Sequence, residues 1–214
     1  MRAAEHTGIT IMLFSLLVSP FGYSGQELRA GVAKVAITPD VHVAKVYLAG
    51  FGNNRVATGI HDDLYVRCLA LTAGNATVAM CSADLIGLLY DDVLKVRQKL
   101  STQAREVTHL IVTSTHDHEG PDTMGLWGPK QFVSGMDEKY MDWLDGRIAA
   151  TAAQAAHSLE EARLTLGRDD HPLLALLQND SRPPYVKDPC LFVMRQPTTQ
   201  IWVSYFTARP DLVG

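Results

Sequence analysis

The fold turns on residues 76–122, ATVAMCSADLIGLLYDDVLKVRQKLSTQAREVTHLIVTSTHDHEGPD. Residues 76–82 (ATVAMCS) read as a strand. Across residues 91–104, Val93, Val96 and Leu100 fall on one helical face, while Lys95, Arg97 and Lys99 turn outward. Residues 109–113 (HLIVT) form a short continuous apolar run, the pattern of a strand buried in a parallel sheet. Strand, helix and strand in that order make one βαβ unit.

Outward from this unit the pattern stays mixed. Residues 64–71 (LYVRCLAL) read as a strand, and Gly74-Asn75 turns it back into residues 76–82 as a hairpin. Residues 28–37 (LRAGVAKVAI) are a further strand, stopped by Thr38-Pro39, and Gly50, Gly52, Asn53 and Asn54 mark a loop. Residues 137–162 are the longest helix candidate, alanine-rich, with Tyr140, Leu144 and Ile148 on one face. Residues 164–167 suit a short strand, and residues 169–189, with Pro172, Pro183, Pro184 and Pro189, suit a loop. Residues 191–194 and 201–206 suit a terminal hairpin. The expected class is α/β, a mixed sheet with helices packed on it.

The chain of 214 residues is 47% hydrophobic and 20% charged, which is globular and excludes disorder and coiled coil. A net charge of −4 supplies no global positive field for nucleic acid. At the N-terminus, Arg2 precedes an apolar run over residues 9–18, then Ser19-Pro20 and small residues at Gly22, Ser24 and Gly25. This is the layout of a secretory signal peptide over residues 1–24, leaving residues 25–214 as the mature domain, secreted or periplasmic. The run is too short for a membrane span, which needs about 20 residues, and no transmembrane segment is expected. Cys68, Cys81 and Cys190 form no CxxC pair and support neither a zinc ribbon nor a disulfide scaffold. Cys68 and Cys81 lie in apolar surroundings and are expected to act as small buried hydrophobes. In an exported chain one disulfide can form, between partners the spacing does not choose.

The stretch with chemistry is residues 113–129, TSTHDHEGPDTMGLWGP. It follows a buried strand, and ligands in open α/β sheets bind outside the carboxyl ends of strands. In extended backbone, residues two apart share a face, so His116 and His118 can reach one centre while Asp117 points away or orients a ring. Imidazole is the commonest metal ligand, and a carboxylate on its other nitrogen fixes the tautomer. Glu119 and Asp122 follow closely, and Gly120, Gly125 and Gly128 would let the backbone approach a substrate. A zinc site takes three or four protein ligands, so this loop needs help from elsewhere. His61 in a Gly-Ile-His-Asp run is a candidate for entering the site, and equally a surface histidine. Asp84 stands at the end of a strand, as a site residue or as the N-cap of the next helix. Trp127 is a candidate for lining an apolar pocket.

The segments AGVAKVAITP (residues 30–39), LAGFG (48–52), GIHDDLYVRCLAL (59–71), SADLIGL (82–88) and TSTHDHEGPDT (113–123) occur in this order. Together they resemble the N-terminal part of the neutral/alkaline non-lysosomal ceramidase family and its bacterial relatives. The resemblance implies a secreted or membrane-associated zinc amidase that hydrolyses the N-acyl bond of ceramide, with a lipid-like amide as substrate. It implies that His116 is a zinc ligand and that His118 lies at the active centre near the substrate. Zinc polarises an amide carbonyl and lowers the pKa of bound water towards ~7, and a histidine beside it can move protons or hydrogen-bond an oxyanion.

The resemblance also implies a second zinc histidine before a proline, where this chain has Arg209 before Pro210; arginine cannot coordinate zinc. The family's remaining ligands, a glutamate and a tyrosine, and its active-site serine fall beyond Gly214. The resulting expectation is an incomplete version of the family's catalytic domain that binds zinc weakly and lacks amidase turnover. The alternatives are a non-catalytic ligand-binding or interaction module, and a different metallohydrolase built from His61, Asp84, His116 and His118.

Overall fold

In the computed structural model, residues 27–168, 190–195 and 200–205 are described. Strands β1 (Arg29–Ala36), β2 (Tyr65–Ala73), β3 (Ala76–Ala83), β4 (His109–Ser114) and β5 (Glu160–Glu161) form one sheet in the order β4-β3-β2-β1-β5. Helix α1 (Tyr90–Gln103) connects β3 to β4, which pair in parallel; the other neighbours in this sheet are antiparallel. The βαβ unit and the β2–β3 hairpin therefore stand where the sequence predicts, with Gly74 at φ 59 in the turn, but β4 is an edge strand in which only Leu110 is buried, not the buried strand its apolar run suggests. Helix α2 (Glu138–His157) packs on β1, β2, β3 and α1. Strands β6 (Arg163–Arg168), β7 (Cys190–Arg195) and β8 (Gln200–Tyr205) make a second, antiparallel sheet. The stretch read as a signal peptide, residues 1–24, the proline-rich residues 169–189 and Arg209 lie outside the described residues.

Small side chains bring α2 onto the sheet. Ala33, Cys68, Ala70, Ala79 and Cys81 face Ala149, Ala152, Ala153, Ala155 and Ala156 in the buried core. At Gly31 the approach is closest: a Cβ there would lie 2.1 Å from the Ala155 carbonyl oxygen, so glycine is required. Larger residues, Ile37, Leu85, Leu144 and Ile148, fill the space beside this seam. Asp137 caps α2 by accepting from the Lys139 and Tyr140 amides at 2.9 and 3.3 Å.

Three readings need correction. The alanine run does not carry α2 to residue 162. The helix ends at His157, and Glu160–Glu161 pair instead with Arg29 and Ala30 of β1, because an open strand edge outweighs local helix propensity. Cys68 and Cys81 are buried but not separate thiols: directly opposed in the hairpin register, they form a disulfide. Asp84 does not cap α1, whose N-cap is Leu89 with no side-chain cap bond.

The carboxyl ends of β3 and β4 lie together by virtue of the parallel pairing, which places Ala83 opposite Ser114. The loop carrying His116 and His118 leaves from this point.

Candidate functional site

Beyond β4 the chain keeps bonding to the segment after β3: the Thr115 amide donates to Ala83 and the Asp117 amide to Leu85, at 2.9 and 3.0 Å. His116 lies between them at φ 63, in the left-handed region. The backbone is thus not extended through the motif, yet the two rings meet. They sit edge to face with centroids 4.7 Å apart.

Their hydrogen bonding differs. His116 Nδ1 lies 3.0 Å from the Ile86 carbonyl oxygen. That oxygen only accepts, so the ring's proton belongs on Nδ1 and Nε2 keeps its lone pair for a ligand. A backbone carbonyl, not Asp117, orients this ring. His118 Nδ1 is buried without a hydrogen-bond partner. A lone pair is tolerated there better than an unpaired N–H, which places the proton on Nε2. The pair therefore offers one nitrogen acceptor and one N–H donor.

The loop from Leu48 to Arg55 holds His118 from the other side. The Ala49 amide donates to Gly120 at 3.0 Å. Gly50, at φ +76, lies so close that a Cβ would fall 2.1 Å from His118 Nδ1. The Phe51 ring is 4.9 Å from the His118 ring. Arg55 ties the loops together: its Nη1 donates to the Ala49, Gly50 and His118 carbonyls at 3.3 Å each. Its Nη2 reaches both Glu119 carboxylate oxygens at 2.9 Å. Glu119 is thereby committed to an ion pair.

Asp122 organises the next stretch. Buried, its carboxylate accepts from the Met124, Gly125, Leu126, Trp127 and Gly135 amides. The glycines serve this loop rather than a substrate: Gly125 has φ +74, and a Cβ at Gly128 would meet the Val133 carbonyl oxygen at 2.0 Å. Trp127 is half-buried beside Gly135.

The other candidates lie apart from the histidine pair. Asp117 accepts from the Glu119 amide and, with His61 and Glu119, borders a cleft of ≈ 520 Å³ whose lining does not include His116 or His118. His61 is exposed and bonded to Asp62 at 2.7 Å. Asp84 receives the Tyr65 amide and the Arg67 guanidinium, the latter at 2.8 and 3.0 Å. Among the described residues, no three His, Cys, Asp or Glu side chains are placed to hold a metal ion. His61, Asp84, His116 and His118 thus do not make one centre. Gly50 was read from sequence only as a loop marker, and Arg55, Phe51 and the structural role of Asp122 were not singled out.

The structure of "neutral ceramidase from Pseudomonas aeruginosa" superposes with a TM-score of 0.67 at 19% identity, over 85% of this chain and 32% of that one. A "ceramidase complexed with C2" superposes with a TM-score of 0.68 at 19% identity, over 85% and 31%. The fold is ceramidase-like, and the chain spans about a third of the length of those structures. No family model matches the sequence. No curated protein matches it either.

Proposed function

We propose that this chain carries part of the centre of a zinc-dependent amide hydrolase that cleaves the N-acyl bond of ceramide-like lipids. The observation that carries this reading is the His116–His118 pair, its rings edge to face with centroids 4.7 Å apart, at the carboxyl end of β4 within a ceramidase-like fold. His116 Nε2 would hold the metal, with donors outside the described residues completing the set. Zinc would supply Lewis acidity for the amide carbonyl. His118 Nε2–H would donate to the carbonyl oxygen as charge develops on it. Ile86, Gly50 and Arg55 keep the two rings in register, so that neither must reorganise on binding. The Cys68–Cys81 disulfide supports an oxidising compartment, in keeping with export through the signal segment.

A second reading, a non-catalytic ligand-binding or interaction module, is favoured by Arg209 where the family resemblance implies a zinc histidine. Incubation of the purified protein with a fluorescent N-acylsphingosine separates the two. Zinc-dependent release of fatty acid, stopped by chelation and by His118→Ala, is the outcome expected of the hydrolase. Lipid binding that survives chelation with no release would replace it with the binding module.

A further inference from the structure

Beside the histidine pair the surface is apolar in a way the interior does not explain. Phe132 is 96% exposed, Leu126 59% and Phe51 57%, and Val133 is also exposed. Their loops are joined by hydrogen bonds. The Asn54 amide donates to the Gly128 carbonyl at 2.7 Å, joining the Phe51 loop to the Leu126 loop. The Val133 amide donates to Lys130 at 3.1 Å, forming the turn that lifts Phe132 out. Phe132 has φ 64, so an unfavourable backbone conformation presents a phenylalanine ring to solvent. Among the described residues neither cost is offset by burial of the Phe132 ring, and such pairing of strain with exposure belongs to sites with an external partner.

The charge pattern says which partner. From Thr123 to Met136 there is no acidic residue, and Lys130 is the sole charge, exposed at the same turn as Phe132. Projecting aromatic and aliphatic tips with a single cation suit an interface of acyl chains below and phosphate headgroups above. We propose that the 126–133 turn and Phe51 dock this protein on a lipid surface, which would bring the histidine pair to lipids still resident in a bilayer. The proposal rests on the lipid-amide reading for its purpose, but its test does not.

Vesicles of phosphatidylcholine alone, and of phosphatidylcholine with phosphatidylglycerol, contain no amide-linked acyl chain, so binding is read without hydrolysis. The wild-type protein is expected to co-sediment with both, more strongly with the anionic mixture. The Phe132→Ser/Leu126→Ser double variant alters only exposed side chains, and circular dichroism confirms its fold. It should reduce partitioning on the order of tenfold or more. Lys130→Glu should weaken binding several-fold to the anionic vesicles and little to the neutral ones. Wild-type protein that stays in the supernatant with both vesicle types, as it would if a protein were the true partner, overturns the proposal. So does a folded double variant that partitions like wild type.

Discussion

His116 adopts φ 63 although it carries a Cβ, a conformation that costs on the order of 1 kcal/mol outside glycine. Its backbone is held there by the bonds of Thr115 and Asp117 to the β3 extension. His116→Gly is therefore expected to leave stability unchanged or raise it by up to about 1 kcal/mol while removing the ligand nitrogen. Chemical denaturation checks this, and a large destabilisation would mean that the ring itself holds the loop. Gly50→Ala has the opposite sign. Positive φ and overlap with His118 Nδ1 should cost about 2–4 kcal/mol and displace the ring, seen as a shift of the His118 ring nitrogen resonances. Spacing made the two histidines legible as a pair, but through extended backbone; the real path bends at His116, and the rings meet with the Gly50 loop close against His118. Arg55 was not legible, since its partners are carbonyls 5, 6 and 63 residues away.

At the scale of elements, the β2–β3 hairpin is locked by Cys68–Cys81, separated by 13 residues. Closing a loop of that length is worth up to ~3 kcal/mol. Cys68→Ala/Cys81→Ala should lower Tm by roughly 5–10 °C, and reductant should shift the wild type similarly while leaving the double variant unmoved. Strand alternation showed both cysteines as buried; their pairing required the register, which sequence spacing alone does not supply.

The α1–α2 contact contains a second device. Asp145 is buried with neither carboxylate oxygen hydrogen-bonded. Burial, with Asp92 nearby, pushes its pKa up from 3.8 to about 6, opposed by Lys95 and Lys99. A folded-state pKa above the unfolded value means that the native protein binds the extra proton. Stability is therefore highest below about pH 4 as far as this group is concerned, and declines as pH rises through about 6. Asp145→Asn should remove that decline and add about 1–2 kcal/mol at pH 8, the full shift being discounted for solvent screening. Unfolding curves at pH 5 and pH 8 decide it. The helical pattern did show Leu144 and Ile148 as core, yet the charge beside them is out of keeping with that face.

The whole molecule was legible wherever neighbours in sequence are neighbours in space: the hairpin, the βαβ unit and the β7–β8 pair. It was less so where the chain closes on distant parts, as when β5 takes the free edge of β1. No helix among the described residues is long and apolar enough to cross a membrane, and the proposed lipid contact is assigned to the Phe132 turn.

The measurement closest to the central claim is zinc stoichiometry, by competition with a chromophoric chelator, for wild type, His116→Ala and His118→Ala. The account predicts weak zinc binding by wild type, as a partial ligand set would give, loss of that binding in His116→Ala, and little change in it in His118→Ala. Folded wild-type protein without affinity for zinc, or zinc retained equally in His116→Ala, would contradict it.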